Sequence, residues 1–405
     1  MSTTVYWIWL QQALGEGAHQ SEAILRSVTD VKRLYEATSY PDEWMLTDKQ
    51  RKALAKKDLS RAQQIRERTE AHGAWVLTPE DELYTALFEG MYAPPVVLYA
   101  KGARIDAGGC PRIAVVGTRH HDENGRRITR QLAAGLAAGG AVLISGGAVG
   151  LDSEALDAAL NEHGVCLSFQ ACGIDIDYPQ ATAPLRERLL ANGGLLLTEF
   201  PVGKPAYRHH FRIRNRLISA AADGTLVTQA PRGSGALITA GWAREQGKDV
   251  FAVPGAVGVP CCEGSNELLK DGAQLVTNAA DILMNYVERY PFALHFDAAL
   301  AAEKRALHIR RATPTEIAQT TVQELPALQV AQVRDMSAPV PCPEEADETG
   351  KRVYKALTGT PQTVTEIARA LALTSAEVLS ALTELELYGA VTCTAGQRYT
   401  RKTDS

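Results

Sequence analysis

The feature that most constrains the fold is a series of short apolar segments, punctuated by glycine-containing turns, in the middle of the chain. The segment RIAVV at 112–116 is followed by a glycine turn, and AVLI at 141–144 is followed by SGG. Similar segments lie at 165–169, 194–197, 225–228, 249–253 and 274–277. The stretches between them, such as 124–138 and 152–163, repeat apolar residues at helical spacing. This alternation predicts an α/β fold with a Rossmann-like, doubly wound and mostly parallel sheet.

Three of the turns carry residues suited to binding an anion at the carboxyl edge of such a sheet, where ligands gather in doubly wound folds. Gly117, Thr118 and Arg119 end the first strand and precede a helix, so backbone N–H groups, the helix dipole and a guanidinium would meet there. The small, donor-rich turn recurs in the pairs Ser145-Gly146 and Ser234-Gly235. The alternative is a surface arginine and glycines that serve geometry only. Together the turns favour a polyanion pocket.

The segment 204–248 is the strongest electrostatic signal, with eight basic residues against two acidic ones. Its basic residues are Lys204, Arg208, Arg212, Arg214, Arg216, Arg232, Arg244 and Lys248. Phe211 and neighbouring aromatic rings are interleaved with them, a pattern that suits single-stranded nucleic acid, whose phosphates are neutralised and whose bases stack. The alternative is that some of the arginines pair with acids inside the domain. Asn215 and Arg216 fit a structural role as well as a binding one.

Motifs of cofactor-dependent enzymes and of metal sites are absent from the sequence. It contains no GxGxxG fingerprint, Walker sequence, nucleophile elbow or deaminase signature. The seven cysteines include no CxxC pair, which favours reduced thiols over a zinc site, and the pair His209-His210 would need further ligands. We therefore expect no cofactor, no metal and no enzymatic activity.

Composition and charge limit the class of protein further. A chain of 405 residues with 45% hydrophobic and 22% charged residues is typical of a soluble protein with two or three domains. A net charge of −5 argues against a protein that coats nucleic acid with its whole surface, although a local basic groove is compatible with it. The first residues lack the features of a signal peptide, and no apolar run has the length of a membrane span. We expect a cytoplasmic protein without membrane contact.

The pattern predicts five consecutive regions. They are a helical N-terminal domain at 1–78, a connector at 79–110, the Rossmann-like domain at 111–290, a helical extension with a proline- and acid-rich linker at 291–348, and a winged-helix domain at 349–405. The last is indicated by capping boxes at 363–366 and 374–377 and by a hairpin around Ala395-Gly396. Its second helix, from Thr374, has three glutamates and no lysine or arginine, so we expect it to contact protein rather than DNA. The basic helical pattern at 47–72 is mixed with acids, which favours a solvated face.

The ordered motifs resemble those of the DNA-processing protein A family (DprA, also called Smf). They are VGTR at 116–119, SGGAVGLD at 145–152, GIDIDYP at 173–179, TEFP at 198–201, FRIRNRLI at 211–218, SGALITA at 234–240, FAVPG at 251–255, GSN at 264–266 and DGA at 271–273. The resemblance implies a protein that binds single-stranded DNA, protects incoming strands during natural transformation and helps to load the RecA recombinase. It also implies a homodimer formed through the Rossmann-like domain.

Within that family the strand-binding pocket is formed by the turn after the first strand and the basic-aromatic stretch. The corresponding residues here are Gly117, Thr118, Arg119, Arg208, Phe211 and Arg212. Backbone donors at Ser145-Gly146 and Ser234-Gly235 would add to it, and we include Lys204, Arg214, Asn215, Arg216 and Lys248 in the predicted nucleic-acid site.

The chain departs from the family pattern at three places, which concern packing or pocket detail. Leu156 stands where a histidine is usual, Gly147 begins an altered glycine turn, and Gln229 replaces a common acid. Two other functions remain open at this point. A nucleotide phosphoribohydrolase of the same architecture would use Glu199 or Asp152 for glycosidic cleavage, and a scaffold would recruit a partner through its winged helix.

Overall fold

The computed structural model describes residues 2–106, 108–308, 343, 346–358, 362–371, 373–388, 390–394 and 398–401. The chain divides into two compact units, residues 1–313 and 314–405, which are described separately below. Most of the predicted linker falls outside the described residues. None of the helices in the described ranges has both the length and the apolar character that crossing a membrane requires.

A nine-stranded sheet forms the centre of the first unit. Its strands are β1 (Trp75–Leu77), β2 (Leu98–Gly102), β3 (Arg112–Val116), β4 (Val142–Ser145), β5 (Cys166–Phe169), β6 (Leu195–Thr198), β7 (Gly224–Val227), β8 (Asp249–Ala252) and β9 (Gln274–Leu275). All seven predicted strands are present, and their bounds differ from the prediction by no more than two residues. Every residue of β3 to β7 is buried, as expected for parallel strands that are covered on both faces.

The order of the strands is β1-β2-β6-β5-β4-β3-β7-β8-β9. From β6 to β9 all neighbours are parallel, whereas β1 and β2 are antiparallel additions at one edge. The chain builds outward from β3 through β4 and β5 to β6, and then returns to the other side of β3 with β7. This reversal creates a topological switch point between β3 and β7, where a crevice opens at the carboxyl ends of the strands.

Helices cover both faces of this sheet. They are α1 (Thr3–Leu14), α2 (Ser21–Ser27), α3 (Val31–Glu36), α4 (Asp48–Ala55), α5 (Ser60–Ala71), α6 (Glu82–Phe88), α7 (Glu123–Ala138), α8 (Leu151–Asn161), α9 (Ala183–Ala191), α10 (Arg208–Ala220), α11 (Gly235–Glu245), α12 (Glu263–Lys270), α13 (Ala279–Leu283) and α14 (Phe296–His308). Side chains of α1, α7 and α8 belong to one buried cluster with alternate strand residues, and α6, α10 and α11 belong to a second cluster with the remaining ones. The result is a three-layer α/β unit.

The N-terminal helices share their core with the sheet. Ile8 and Leu10 of α1 are fully buried in the same apolar cluster as Tyr99 of β2. The buried amide of Gln11 donates hydrogen bonds to the carbonyl oxygens of Val97 (3.2 Å) and Glu199 (2.8 Å), and the Tyr99 hydroxyl donates to Gln11 Oε1 (2.9 Å). Polar and apolar contacts therefore fix residues 1–78 against one face of the sheet.

The segment 79–110, which the sequence indicates as a connector, contains α6 and β2. Strand β2 pairs with β6 from Tyr99, opposite Thr198, to Gly102, opposite Leu195. Two consecutive prolines precede this strand and confine the chain to extended backbone. The antiparallel strand thus protects the β6 edge of the parallel sheet.

The second unit is a winged helix. Its helices are α15 (Glu348–Ala356), α16 (Val364–Leu371) and α17 (Ser375–Leu387), and its strands are β10 (Gln362–Thr363), β11 (Val391–Thr394) and β12 (Arg398–Arg401). Strands pair in the order β10-β12-β11. The predicted capping box at the start of α17 is present, since Thr374 and Glu377 each accept a hydrogen bond from the other's backbone N–H. The hairpin turn predicted at Ala395-Gly396 lies outside the described residues.

Candidate nucleic-acid interface

A groove of about 700 Å³ opens at the switch point, between the carboxyl ends of β3 and β7 and the helices α10 and α11. We call this the switch-point groove. The charged side chains that line it are five arginines and one carboxylate, namely Arg119, Arg208, Arg212, Arg214, Arg232 and Asp152. Its lining is therefore strongly positive although the whole chain carries a net charge of −5.

The turn after β3 is held so that Arg119 faces solvent. A Cβ atom on Gly117 would lie 2.7 Å from Leu151, and one on Gly150 would lie 2.6 Å from backbone atoms at 118 and 119, so both glycines permit close packing. Thr118 is buried, with its N–H bonded to the Gln229 carbonyl oxygen (2.9 Å). Arg119 is exposed, and within the described ranges none of the carboxylates forms an ion pair with it. Its guanidinium is therefore available to an anionic ligand.

Helix α10 separates its basic residues onto two faces. Arg208, Phe211, Arg212 and Asn215 recur at spacings of three and four residues, which places them on one face, and all four line the switch-point groove. Arg208 and Arg212 are exposed, whereas Phe211 is partly buried. The exposed face therefore presents two cations and an aromatic ring to the same groove.

Phe211 is the centre of an aromatic and cationic cluster. The guanidinium carbon of Arg119 lies 5.4 Å from the centre of its ring, and that of Arg214 lies 5.8 Å away. Tyr178 approaches the same ring edge-on, with 6.0 Å between ring centres, and is 44% exposed. These rings offer a surface on which a planar base can stack next to positive charge.

Arg214 and Asp152 form the floor of the groove. Arg214 is buried and donates to the carbonyl oxygens of Gly146 and Phe169, both at 2.6 Å. A Cβ on Gly146 would lie 2.2 Å from this guanidinium, so the glycine makes room for it. Burial lowers the pKa of Arg214 to about 10, an effect that Asp152 opposes. Burial also raises the pKa of Asp152, which accepts from the Gly117 N–H at 3.3 Å.

Ser234 and Gly235 lie on the opposite wall. Ser234 caps α11, because its side chain accepts a hydrogen bond from the backbone N–H of Ala236. The Asn215 amide donates to the Gly235 carbonyl oxygen at 3.3 Å and thereby ties α10 to α11. Both walls of the groove are therefore fixed by local hydrogen bonds before any ligand binds.

Five residues of the predicted site are not among those that line the groove, and one of them, Gly146, accepts the hydrogen bond from Arg214 described above. Arg216 forms a buried ion pair with Glu199 (2.6 Å), and Ser145 donates its hydroxyl proton to the Val115 carbonyl oxygen (2.7 Å). Lys204 pairs with Glu16 at 3.4 Å. Lys248 precedes β8 and lies at the amino end of the sheet, opposite the groove. The structure gives Arg216 and Ser145 internal partners.

Sequence reasoning missed Tyr178 as a groove residue, and it did not include Arg232 in the site. Tyr178 belongs to the quoted motif at 173–179, which follows β5 at the carboxyl edge of the sheet. That position was a usable signal, because loops after parallel strands share this edge. Arg232 lines the groove but forms ion pairs with Glu263 (3.5 Å) and Glu267 (2.7 Å).

Comparison with known proteins places the chain in a family. A family model described as DNA recombination-mediator protein A matches residues 75–287, and one for the DprA winged helix domain matches residues 337–397. A relative from Mycobacterium tuberculosis, a putative DNA processing protein DprA, is 34% identical over 356 residues, which are 85% of this chain and 81% of the relative. Protein Smf from Synechocystis is 31% identical over 329 residues, with 80% of each chain covered.

A solved structure agrees with this assignment. DNA processing protein A (DprA) from Streptococcus pneumoniae superposes with a TM-score of 0.58 and 29% sequence identity, covering 70% of this chain and 98% of that one. The matched family regions contain the sheet with its switch-point groove and the winged helix up to strand β12. The chain therefore belongs to the DNA recombination-mediator protein A family, the DprA/Smf family that its motifs predicted.

Proposed function

We propose that this chain is a non-enzymatic protein that binds single-stranded DNA in the switch-point groove. The observation that carries the proposal is the face of α10 on which Arg208, Phe211 and Arg212 line the groove together, with Arg119 against the Phe211 ring. Cations spaced along a groove neutralise successive phosphates, and an aromatic ring between them stacks a base without regard to sequence. Double-stranded DNA keeps its bases stacked inside the helix and cannot use such a ring.

The proposal assigns a separate role to each part of the groove. Arg119, Arg208 and Arg212 contact phosphates, and Phe211 stacks a base. Gly117, Thr118, Ser234 and Gly235 border the path with backbone and hydroxyl groups. Arg214 contributes its charge from the floor and holds the Gly146 turn in place.

The phosphoribohydrolase alternative has less support from the geometry. Glu199 is 2% exposed, is bonded to Arg216 and the Gly17 N–H, and is not among the groove-lining residues. Asp152 lines the groove, but backbone N–H groups of the surrounding turns, including that of Gly117, are directed at its carboxylate. Both carboxylates thus have structural partners, which favours binding over cleavage.

The biological role that we propose is the protection of incoming single strands and the loading of RecA in natural transformation. The family and its relatives, which are described as DNA-processing and recombination-mediator proteins, support a role in DNA processing and recombination. We also propose a homodimer through the Rossmann-like domain, since two grooves on one strand would increase avidity. Helix α17 of the winged helix carries Glu377, Glu384 and Glu386 and no basic residue, which supports a protein partner.

The experiment that tests the binding proposal compares three ligands of the full chain by fluorescence anisotropy: labelled oligo-dT, a duplex of the same length and a nucleoside monophosphate. We expect oligo-dT to bind more tightly than the duplex and far more tightly than the mononucleotide, with no free base released. Release of base from the monophosphate, together with weak oligo-dT binding, would favour the enzymatic alternative.

The RecA proposal has its own test. The full chain and a variant that lacks residues 345–405 are compared for association with RecA and for the rate of RecA filament formation on coated single strands. We expect the full chain to associate with RecA and to accelerate filament formation. A full chain without either effect would remove the loading role while leaving strand binding intact.

A further inference from the structure

We propose that Asp122, Cys261 and Cys262 form a binding site for a thiophilic divalent cation of the zinc class. The three ligand atoms, one carboxylate oxygen and two thiol sulfurs, all lie within 4.8 Å of one another. The site is separate from the switch-point groove, which none of the three residues lines. The sequence indicated no metal, because adjacent cysteines lack the usual ligand spacing and their partner lies 139 residues away.

The sulfur–oxygen distance between Cys261 and Asp122 matches that of a tetrahedral zinc centre. With Zn–S bonds of about 2.3 Å and a Zn–O bond of about 2.0 Å, a sulfur and an oxygen ligand are separated by about 3.5 Å. Cys261 Sγ lies 3.5 Å from Asp122 Oδ2. A cation can therefore bind with little movement of this pair, whereas a thiol–carboxylate hydrogen bond is the alternative use of the same geometry.

A further buried side chain holds two of the ligands in place. Gln229 is 3% exposed, its Nε2 lies 3.5 Å from Cys262 Sγ, and its Oε1 accepts a hydrogen bond from the Asp122 N–H at 3.2 Å. Hydrogen bonds of this kind orient metal ligands in known sites. One amide thus positions the carboxylate segment and one of the thiols together.

Two glycines provide the space that the arrangement needs. A Cβ on Gly125 would lie 2.3 Å from the Gln229 side chain, and a Cβ on Gly255 would lie 2.4 Å from Cys262 Sγ. Any larger residue at either position would displace the amide or the sulfur. The backbone is therefore shaped around this set of side chains.

Charge and access also suit a cation. With both thiols deprotonated the ligand set carries three negative charges, so a divalent ion leaves one. The Asp122 side chain caps the N-terminus of α7, and Cys262 stands at the N-cap position of α12 without a side-chain capping bond; both helix ends favour the remaining negative charge. Asp122 is exposed and Cys261 half-buried, so an ion can enter from solvent and a water can complete a fourth position.

Metal binding at this site would join the start of α7 to the segment before α12. Asp122 lies three residues beyond Arg119 in the same loop, so the ion would also restrain the loop that borders the switch-point groove. The proposal is independent of strand binding, because its ligands and its readout differ from those of the groove.

The test is a titration of the reduced full chain with Co²⁺, followed by displacement with Zn²⁺. We expect one Co²⁺ per chain with the near-ultraviolet absorption of thiolate-to-cobalt charge transfer, and loss of that absorption on adding Zn²⁺. Cys262→Ser should abolish it, while the matched variant Cys110→Ser, in which a half-buried thiol elsewhere in the same unit is removed, should not.

A second variant covers the case in which Cys262→Ser does not fold. Asp122→Asn keeps a side chain that caps α7 but lacks the carboxylate charge, and we expect its Co²⁺ affinity to fall at least about tenfold while its melting temperature without metal is unchanged. Zn²⁺ should raise the melting temperature of the wild type and not that of this variant. The proposal is overturned if the reduced wild type shows no charge-transfer absorption, if Cys262→Ser keeps it, or if a Cys261–Cys262 disulfide persists under reducing conditions.

Discussion

Two arginines of the same helix should respond differently to replacement by alanine: Arg212→Ala should weaken DNA binding, and Arg216→Ala should lower the stability of the fold. Arg212 is exposed in the switch-point groove, whereas Arg216 is 5% exposed and pairs with Glu199 at 2.6 Å. The residues are four positions apart, and both changes remove the same charge. The pair therefore separates a binding role from a structural one.

The loss of stability expected for Arg216→Ala follows from the contacts that it removes and from the carboxylate that it leaves unpaired. It removes the ion pair and the hydrogen bond to the Ala93 carbonyl oxygen (2.7 Å), and it leaves the buried Glu199 carboxylate with the Gly17 N–H. Removing one partner of a buried pair lowers the free energy of unfolding by about 3–5 kcal/mol, out of a typical total of about 5–15 kcal/mol. Burial already raises the pKa of Glu199, and loss of Arg216 should raise it further.

Arg212→Ala should change the free energy of unfolding by no more than about 0.5 kcal/mol, as for other exposed positions. It should weaken binding of oligo-dT and reduce the slope of log affinity against log salt by about 0.7, the value for one phosphate of a single strand. Urea denaturation and fluorescence anisotropy measure the two quantities. The reasoning is refuted if Arg216→Ala is as stable as the wild type, or if Arg212→Ala loses stability and keeps its DNA affinity.

Three further predictions concern other residues of the first unit. Phe211→Ala should weaken oligo-dT binding about 5- to 150-fold, because it removes about 1–3 kcal/mol of base stacking, and it should leave the salt slope unchanged. The control is Phe292→Ala, which removes a 95% exposed ring outside the groove and should have no effect in the same assay. Gly117→Ala should lower the free energy of unfolding by about 1–3 kcal/mol in urea denaturation, because its methyl group would overlap α8; a variant as stable as the wild type would contradict this. Burial acts to raise the pKa of Asp223, but its hydrogen bonds and ion pair with Arg112 outweigh burial and hold it below the ordinary value. The unfolded chain then binds the proton more readily, so the stabilisation is complete above the unfolded-state pKa of about 3.9 and is lost as pH falls through the lower folded-state pKa. Asp223→Asn should therefore reduce the pH dependence of the free energy of unfolding, measured by urea denaturation, in this acid range. An unchanged pH dependence would contradict the assignment.

Much of the fold could be predicted from the sequence because buried parallel strands leave a strong local signal. The segment 112–116 is apolar on both sides of its pleat and ends in glycine, and the observed strand β3 has the same bounds. The order of the strands could not be predicted, since it depends on which helices cross which face. It is this order that brings the turn after β3 next to the turn after β7.

The sequence placed several candidate residues on one helix, but it could not show which of them the fold buries. In the sequence Arg212, Arg214 and Arg216 look equivalent, but in the structure Arg212 is exposed, whereas Arg214 and Arg216 are buried. Their inward partners, the Phe169 carbonyl oxygen and Glu199, are distant in sequence and give no local signal. Lys248 was included by charge alone, although its place before a strand assigns it to the opposite edge of the sheet.

The measurement that tests the central claim most directly is the salt dependence of oligo-dT binding for the wild type, Arg119→Ala and Arg127→Ala. Arg127 is an exposed arginine of α7 outside the groove lining, so its variant has the same change in net charge. We predict a linear fall of log affinity with log salt for the wild type, a slope smaller by about 0.7 for Arg119→Ala, and an unchanged slope for Arg127→Ala. A wild-type affinity that does not depend on salt, or equal slopes for all three proteins, would contradict the assignment of this groove to a single strand.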